Sequence, residues 1–500
     1  MRIYKTLAML AAATTLAACN EALVRDFNTP TGFAHDVGAL QNEMTGVFSH
    51  SRVNMVQYET EMAGFAREAA YFTPSEVRFV TELTGAAQLD DDNFGAETWT
   101  EQYQTIKDAD SVIGVLPTLT NAGAPIPVAN IKALQGSMQT MKALEYMYVL
   151  LAHDTVGIAI NNPGGPISGS GVAPIICASH AWRAIVAMLD TAQAEFAAAG
   201  PATVMGVPGS TFPALEIPPT YSAIGNTAGG WMNFVYALRG RARVELAYAI
   251  ARGPGGTRPT STTAGAPDVN QLDSAITDIT ASSLYTPNLT AGEAVAANDL
   301  GVFHDYSSAA GDLTNIIYNI SSAYFVLEGA AQQIDTLHDA RFLAKFAQAP
   351  SLPTSTGHSA ASSYAYLNNI NLGTPTPIIR NVQLQFLLAR AYLGIGSYAK
   401  AASIVDNVRT VVGGLPSALP LPATDYVHVR DFLMKEMIPS LMGDATGDQI
   451  VAIRDYGLIM QDLTTWENQP GFGTDYHTSQ ENIPQPERAA RNNNYTPVCQ

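Results

Sequence analysis

The segment from Ile378 to Arg409 constrains the fold most, because it joins two helical patterns through a short break that contains glycine. Before the break, one helix face carries apolar residues at three- and four-residue steps: Ile379, Val382, Phe386, Ala389 and Leu393. A second apolar face carries Leu384, Leu387, Leu388 and Ala391. A helix with two apolar faces is expected to pack on both sides.

Two glycines end this first helix. Gly394 and Gly396 stand where a helix commonly ends in a left-handed residue. A second periodic run then follows, made of Tyr398, Ala401, Val405, Val408 and Val412. The pattern predicts an αα-hairpin over residues 378–412, in which small residues on both helices allow the axes to approach closely. Its spacing resembles a tetratricopeptide unit.

The break also imitates a nucleotide-binding motif, since residues 394–399 satisfy G-x-G-x-x-[G/A]. That fingerprint requires a strand before the glycines and the start of a helix after them. Here a long helix precedes the glycines. The sequence therefore favours a turn between helices over a dinucleotide site.

Helical periodicity recurs along the chain, separated by long loops rich in glycine and proline. The predicted helices cover residues 36–62, 98–113, 128–152, 178–199, 231–251, 268–282, 315–346 and 429–441. Irregular segments lie at 156–174, 200–230 and 253–267. This alternation predicts an all-α fold, and loops longer than about 15 residues in a compact protein are usually functional.

The charge balance argues against a nucleic-acid partner. The chain of 500 residues has 26 Lys and Arg against 44 Asp and Glu, a formal net charge of −18, and no segment gathers the basic residues into a patch. Binding to phosphates requires such clusters. Only 14% of the residues are charged, so the surface is expected to be polar and largely neutral, which suits a neutral ligand.

The N-terminus has the organisation of a bacterial lipoprotein signal. A short basic leader precedes an apolar run from Leu7 to Leu16, which is too short to span a bilayer. The sequence L-A-A-C that ends at Cys19 resembles a lipobox, so we expect residues 1–18 to be a signal peptide and Cys19 to carry the lipid. The alternative is an ordinary apolar N-terminus with a chance cysteine. No later segment has 18 unbroken apolar residues, so acyl chains are the expected anchor.

Two small groups of residues leave alternatives open. Cys177 and Cys499 are the other cysteines, and in an exported protein they are either paired in a disulfide or left as two thiols. Asp90, Asp91 and Asp92 form the densest cluster of oxygen ligands. Calcium prefers such ligands, but the spacing of an EF-hand is absent, which favours a solvated acidic loop and no cofactor.

Several segments, in their order along the chain, resemble the RagB/SusD family of outer-membrane nutrient-binding lipoproteins. These are the lipobox, residues 26–31, the helix with Trp99 and Tyr103, residues 237–247, the hairpin ending at Arg409, and the tail I-P-Q-P-E-R at 483–488 with Asn492, Asn493 and Asn494. Together they span nearly the whole chain.

The resemblance implies a single SusD-like α-helical domain over residues 19–500. In that family the fold is a superhelix of tetratricopeptide-like hairpins with long irregular loops. The resemblance further implies a non-catalytic lipoprotein, exposed on the surface of the outer membrane, that passes a nutrient to a TonB-dependent transporter. The expected ligand is an oligosaccharide.

A sugar offers apolar C–H faces to aromatic rings and hydroxyl groups to polar side chains, and neither contact requires net charge. The aromatic residues of the loops are therefore candidate ligand contacts: Tyr71, Phe72, Tyr285, Phe303 and Tyr306. Two other functions stay open. An exported all-helical glycoside hydrolase would need two carboxylates across a pocket, and a scaffold protein would use the hairpins to hold other proteins.

Overall fold

A computed structural model describes residues 37–83, 85, 87–90, 94–121, 123–160, 173–355, 357–420, 425–444, 446–458, 479–491 and 496–499. Its helices are α1 Val37–His50, α2 Met55–Phe65, α3 Arg78–Thr81, α4 Thr100–Val115, α5 Val128–His153, α6 Ala178–Ala199, α7 Ala228–Arg252, α8 Val269–Ala281, α9 Ile316–Ile320, α10 Glu328–Gln332, α11 Ala340–Leu343, α12 Asn381–Gly394, α13 Tyr398–Asn407, α14 Tyr426–Leu441, α15 Asp448–Tyr456 and α16 Gln485–Ala490. Its strands are β1 Ala69–Tyr71, β2 Thr120–Asn121, β3 Ala124–Pro125, β4 Ile158–Ala159, β5 Ile175–Ile176, β6 Gly301–His304, β7 Tyr324–Leu327, β8 Phe346–Gln348, β9 Ala361–Tyr366 and β10 Thr376–Arg380. The predicted signal peptide, Cys19, Asp91 and Asp92 lie outside the described residues.

Successive long helices pack against each other. α4 packs on α5, α5 on α6, α6 on α7 and α7 on α8, and α12 then packs on α13. One continuous apolar core runs from α1 to α15 and includes both faces of α12. Side-chain caps mark where some helices begin: Asp268 accepts hydrogen bonds from the amides of Asn270 and Gln271 at the start of α8. The predicted helical fold is confirmed.

The hairpin has the predicted break but a later start. α12 ends at Gly394, Gly396 has a φ of +80°, and α13 follows, continued by one π-helical turn over Val408–Val412. Residues 378–380, predicted as the first part of the helix, instead belong to strand β10, which pairs with β6. Each residue of β10 is buried, so its apolar run fits a covered strand as well as a helix.

The prediction of a helix over residues 315–346 is wrong. This segment contains the short helices α9, α10 and α11 and the strands β7 and β8. β7 lies inside a four-stranded antiparallel sheet of order β1-β7-β9-β8. Every residue of β7 is buried on both faces of the sheet, and such a strand shows no alternation of polar and apolar residues.

Close approach of α7 and α8 depends on Gly240. A Cβ atom at this position would lie 2.5 Å from Cγ1 of Ile279. We expect Gly240→Ala to destabilise the protein by about 1–3 kcal/mol, since overpacking outweighs the gain of about 1 kcal/mol in helix propensity. Gly46→Ala in α1 is the matched control, because its Cβ would meet no atom within 4 Å, and it should be neutral or stabilising. Urea unfolding of both variants measures the difference, and equal effects would contradict this packing.

Glu59 makes stability depend on pH. It is buried, neither carboxylate oxygen has a hydrogen-bond partner in the described structure, and burial, with Asp444 adding to it, raises the pKa of Glu59 from 4.5 to about 8. Because the folded protein holds this proton more tightly than the unfolded chain, the stability that it contributes is complete below pH 4.5 and is lost as the pH rises to about 8.

We therefore expect Glu59→Gln to be more stable than the wild type at pH 8. The difference in unfolding free energy between the variant and the wild type should be larger at pH 8 than at pH 5 by at least about 1 kcal/mol. Asp273→Asn, at an exposed position of α8, is the control. Its difference in unfolding free energy from the wild type should be the same at pH 5 and at pH 8. Urea unfolding at pH 5, 6.5 and 8 gives the comparison. A constant effect of Glu59→Gln across this range would show that Glu59 is ionised throughout.

The C-terminal tail is fastened to the helical body at two places. Cys499 forms a disulfide with Cys177, the residue before α6, with 5.3 Å between their Cα atoms. The amide of Val498 donates to the carbonyl of Ile175. Further back, the Gln480 side chain accepts from the amide of Thr98 at 2.9 Å and donates to its hydroxyl at 3.0 Å. The structure therefore contains the disulfide that was one of the two alternatives.

Across the described ranges, the helices are all too short or too polar to qualify as a membrane span.

Candidate functional site

The predicted aromatic contacts do not form one platform. Phe72 is 3% exposed and packs edge-to-face on Phe325, with ring centroids 5.9 Å apart. Phe303 and Tyr306 are each 5% exposed. These three rings are part of the packed interior, so the prediction that they stack on a ligand is wrong for the rings themselves.

The other two predicted aromatics are half-buried and lie in different places. Tyr71, in β1, packs against Phe79 with centroids 5.1 Å apart. Tyr285 follows α8 and packs against the main core. Tyr71 belongs to the four-stranded sheet, whereas Phe303 belongs to the pair formed by β6 and β10. The five residues are therefore not brought together, although the segment 303–306 borders the cavity described next.

Of the predicted acidic cluster, only Asp90 lies within the described residues. The Asp90 carboxylate lies 3.2 Å from the guanidinium of Arg78, and the amide of Asp90 donates to Glu82 at 2.7 Å. No group of three or more His, Cys, Asp or Glu side chains among the described residues is placed to hold a metal ion.

A cleft of about 280 Å³ opens between the end of α1, residues 216–221 and residues 304–312. Its lining is Thr45, Phe48, Ser49, Arg52, Glu216, Ile217, Pro218, Tyr221, His304, Asp305 and Asp312. Two other cavities in the described structure have only about 20 Å³ each, room for little more than a water molecule. The large cleft is therefore the candidate ligand site.

An aromatic cluster beneath the cleft fixes its floor. Phe48 from α1 packs edge-to-face on Tyr221 with centroids 5.6 Å apart, and Trp231 from α7 lies 6.0 Å from both. Such pairs contribute about 0.5–1.5 kcal/mol each beyond their burial. The 216–221 segment is thereby held against α1 and α7, even though proline interrupts it at Pro218 and Pro219.

The far wall is built on strand β6. The Thr220 hydroxyl donates to the carbonyl of Phe303 at 2.7 Å, which joins this wall to the floor. His304 Nε2 lies 2.9 Å from the Tyr148 hydroxyl of α5. Burial, helped by the nearby Arg52 guanidinium, lowers the pKa of His304 to about 3. His304 is therefore neutral at physiological pH.

Arg52 bridges the two sides of the cleft. It follows α1, and its guanidinium donates to the backbone carbonyl of Asp305 and to the Asp312 carboxylate. Asp305 itself lines the cleft, and burial raises the pKa of its carboxyl while Arg52 opposes the shift. The two terminal nitrogens of Arg52 each donate to the protein, one to Asp305 and one to Asp312, which makes Arg52 a structural clamp.

The cleft combines apolar ring edges with polar groups. Phe48, Ile217 and Tyr221 supply the apolar part, while Ser49 and the carboxylates offer hydrogen bonds. This mixture suits a polar organic ligand with some apolar surface, which is the character of a sugar.

Solved structures with the same fold give the context for this site. A SusD superfamily protein from Bacteroides vulgatus has 12% sequence identity and a TM-score of 0.62, and the match covers 92% of this chain and 98% of the other. Surface glycan-binding protein A from Bacteroides thetaiotaomicron, in complex with laminarihexaose, has 11% identity and a TM-score of 0.59 over 92% and 98% of the two chains. A further structure, solved with a xylogluco-oligosaccharide, has 12% identity and a TM-score of 0.60 over 92% and 99%.

No family model matches the chain, and no curated protein sequence matches it. At these low identities the solved structures establish the architecture. The chain has the SusD-like fold, as the sequence resemblance implied.

Proposed function

We propose that this protein binds a glycan in the cleft between α1, residues 216–221 and residues 304–312. The observation that carries the proposal is a cleft of about 280 Å³ with mixed polar and apolar lining, set in a SusD-like fold. Two structures similar to this chain contain laminarihexaose and a xylogluco-oligosaccharide. The cleft volume is close to the lower end of the range of about 300–1,000 Å³ for ligand sites, which suits a short stretch of a longer glycan.

The proposed role is capture without catalysis. In this proposal residues 1–18 are removed, Cys19 carries the lipid, and residues 19–500 stand on the surface of the outer membrane as one SusD-like domain. The bound oligosaccharide passes to a TonB-dependent transporter, and no cofactor takes part. The lipobox at Cys19, and the segments that resemble the RagB/SusD family in their order along the chain, support this role.

Affinity electrophoresis tests the binding. The mature chain without Cys19 is run in gels that contain laminarin, xyloglucan or other neutral glucans, and each mixture is also assayed for released reducing ends. We expect retardation in at least one gel and no release of sugar. Release that a single carboxylate substitution abolishes would instead indicate a glycoside hydrolase, and absence of retardation with co-purification of a large membrane protein would indicate a scaffold.

Blocking the cleft should abolish retardation. Ser49→Trp places a large ring in the cleft, and we expect the affinity for the retarding glucan to fall by at least about tenfold, or 1.4 kcal/mol. Ser274→Trp in α8, whose hydroxyl donates to the carbonyl of Asn270, is the matched control and should bind as the wild type does. Equal retardation of the two variants would place the glycan outside the cleft.

A further inference from the structure

We infer that the cleft prefers glycans with free amino groups over their neutral counterparts and rejects glycans built of uronic acids, with Asp305 and Glu216 as the selecting residues. The inference rests on the proposed function, since it assigns a substrate class to the same cleft. It depends on the charges that line the cleft and on which of them the protein already neutralises.

The described lining of the cleft is acidic. Glu216, Asp305 and Asp312 contribute three carboxylates against the single guanidinium of Arg52, which leaves a formal charge of −2. His304 adds no positive charge, because burial lowers its pKa to about 3. The formal net charge of the whole chain is also negative, at −18.

Arg52, the one cation among the described lining residues, is already paired. Arg52 donates to the Asp312 carboxylate and to the backbone carbonyl of Asp305, so its charge is balanced inside the wall of the cleft. An anionic sugar that entered would have to break this clamp or remain unpaired next to carboxylates. Like charges brought close together repel one another, and this repulsion accounts for the rejection of uronic acids.

Two carboxylates remain for a ligand. Among the described residues, none forms an ion pair with Asp305 or Glu216. The Asp305 carboxylate accepts a hydrogen bond from the backbone amide of Tyr306. Glu216 is exposed at the rim of the cleft. They belong to two different sides of the cleft, 89 positions apart in the sequence. An ammonium group between them would gain a charge-assisted hydrogen bond, which is about twice as strong as a neutral one.

Because the cleft offers little aromatic surface, the hydrogen bonds of an ammonium group with the carboxylates decide which glycan binds. Phe48 and Tyr221 line the cleft but are nearly covered, being 5% and 2% exposed, so they offer little face for stacking. Hydrogen bonds and charge therefore contribute a larger share of the discrimination than they do in a site with a broad aromatic platform. A free amino group distinguishes a deacetylated amino sugar from the same sugar in N-acetylated form.

Calorimetric titration with three tetrasaccharides tests the inference. The probes are the β-1,4-linked tetramer of glucosamine, the same tetramer in N-acetylated form, and tetragalacturonate, each at pH 6 and low salt. We expect the glucosamine tetramer to bind at least about tenfold more tightly than the N-acetylated one, a preference that shrinks in 0.5 M salt. No heat of binding is expected with tetragalacturonate.

Substitution of the selecting residues should remove the preference. In Asp305→Asn, and in Glu216→Gln, whose exposed position does not threaten folding, the affinity ratio between the two amino-sugar tetramers should fall to about threefold or less. Asp273→Asn, an exposed carboxylate of α8, is the matched control and should keep the full ratio.

Failure of this inference can be told apart from failure of the proposed function. Lack of binding by the glucosamine tetramer, equal affinity of the two amino-sugar tetramers, binding of tetragalacturonate, or an unchanged ratio in both variants would each overturn the inference. The proposed function would survive these results if neutral glucans still retard the protein and Ser49→Trp abolishes the retardation.

Discussion

Replacing Arg390 with methionine is expected to lower the free energy of unfolding by about 3–5 kcal/mol. Arg390 lies on α12 and is fully buried. Its guanidinium donates to both carboxylate oxygens of Glu245 in α7, at 2.7 and 3.2 Å, and to Asp455 in α15. One side chain thus joins three helices of the core.

The penalty arises from what the substitution leaves behind. Burial alone would raise the pKa of Glu245, but Arg390, with smaller contributions from Asp455 and Arg241, outweighs it, so that the pKa is lowered and the carboxylate is charged. Methionine fills most of the volume of arginine without any charge. Glu245 and Asp455 would then remain buried without this cation. Arg252, whose guanidinium lies 3.1 Å from the Asp455 carboxylate, would still be present beside Asp455.

Urea unfolding of Arg390→Met gives the measurement. The matched control is Lys132→Met, which breaks the partly exposed pair between Lys132 and Glu195, 2.8 Å apart. Exposed pairs contribute about 0–1 kcal/mol, so this control should change stability little. If the two substitutions cost the same, the pair in the core has no special role and the account of the packing of α7, α12 and α15 is wrong.

Removing the disulfide is expected to cost about 2–4 kcal/mol. The bond between Cys177 and Cys499 closes a loop of 322 residues, and long loops restrict the unfolded chain most in the chain-entropy account. The tail before Cys499 also has non-covalent attachments, at Val498 and at Gln480. The unfolding transition should therefore stay cooperative and move to lower temperature.

The double variant Cys177→Ser/Cys499→Ser provides this test by thermal unfolding. Reduction of the wild type should lower the melting temperature to that of the double variant, while reduction of the variant itself should have no effect. A melting temperature that is the same in all four conditions would show that the tail detaches before the body unfolds, and that the disulfide stabilises only the tail.

Local patterns predicted the helical hairpins well. The break at Gly394 and Gly396 could be predicted because glycine after a helical run commonly adopts the left-handed conformation that ends a helix. Gly396 has a φ of +80°. The strand β10 was missed because its buried apolar residues continue the pattern of α12 without interruption. Period alone does not separate a buried strand from a buried helix.

The cleft could not be predicted, because it is assembled from segments far apart in the chain. Arg52 donates to Asp305, 253 positions later, and no local pattern reports such a contact. The loop aromatics were misread for a related reason. Phe303 lies in strand β6 and Tyr306 follows it closely, and both rings are buried, whereas the adjacent Asp305 lines the cleft.

A crystal structure of the mature protein with the glycan that retards it most in the electrophoresis panel tests the central claim most directly. The account predicts ordered sugar rings between α1 and residues 304–312, within hydrogen-bond distance of Ser49 or Asp305. Sugar bound elsewhere on the surface, with the cleft filled only by water, would contradict it.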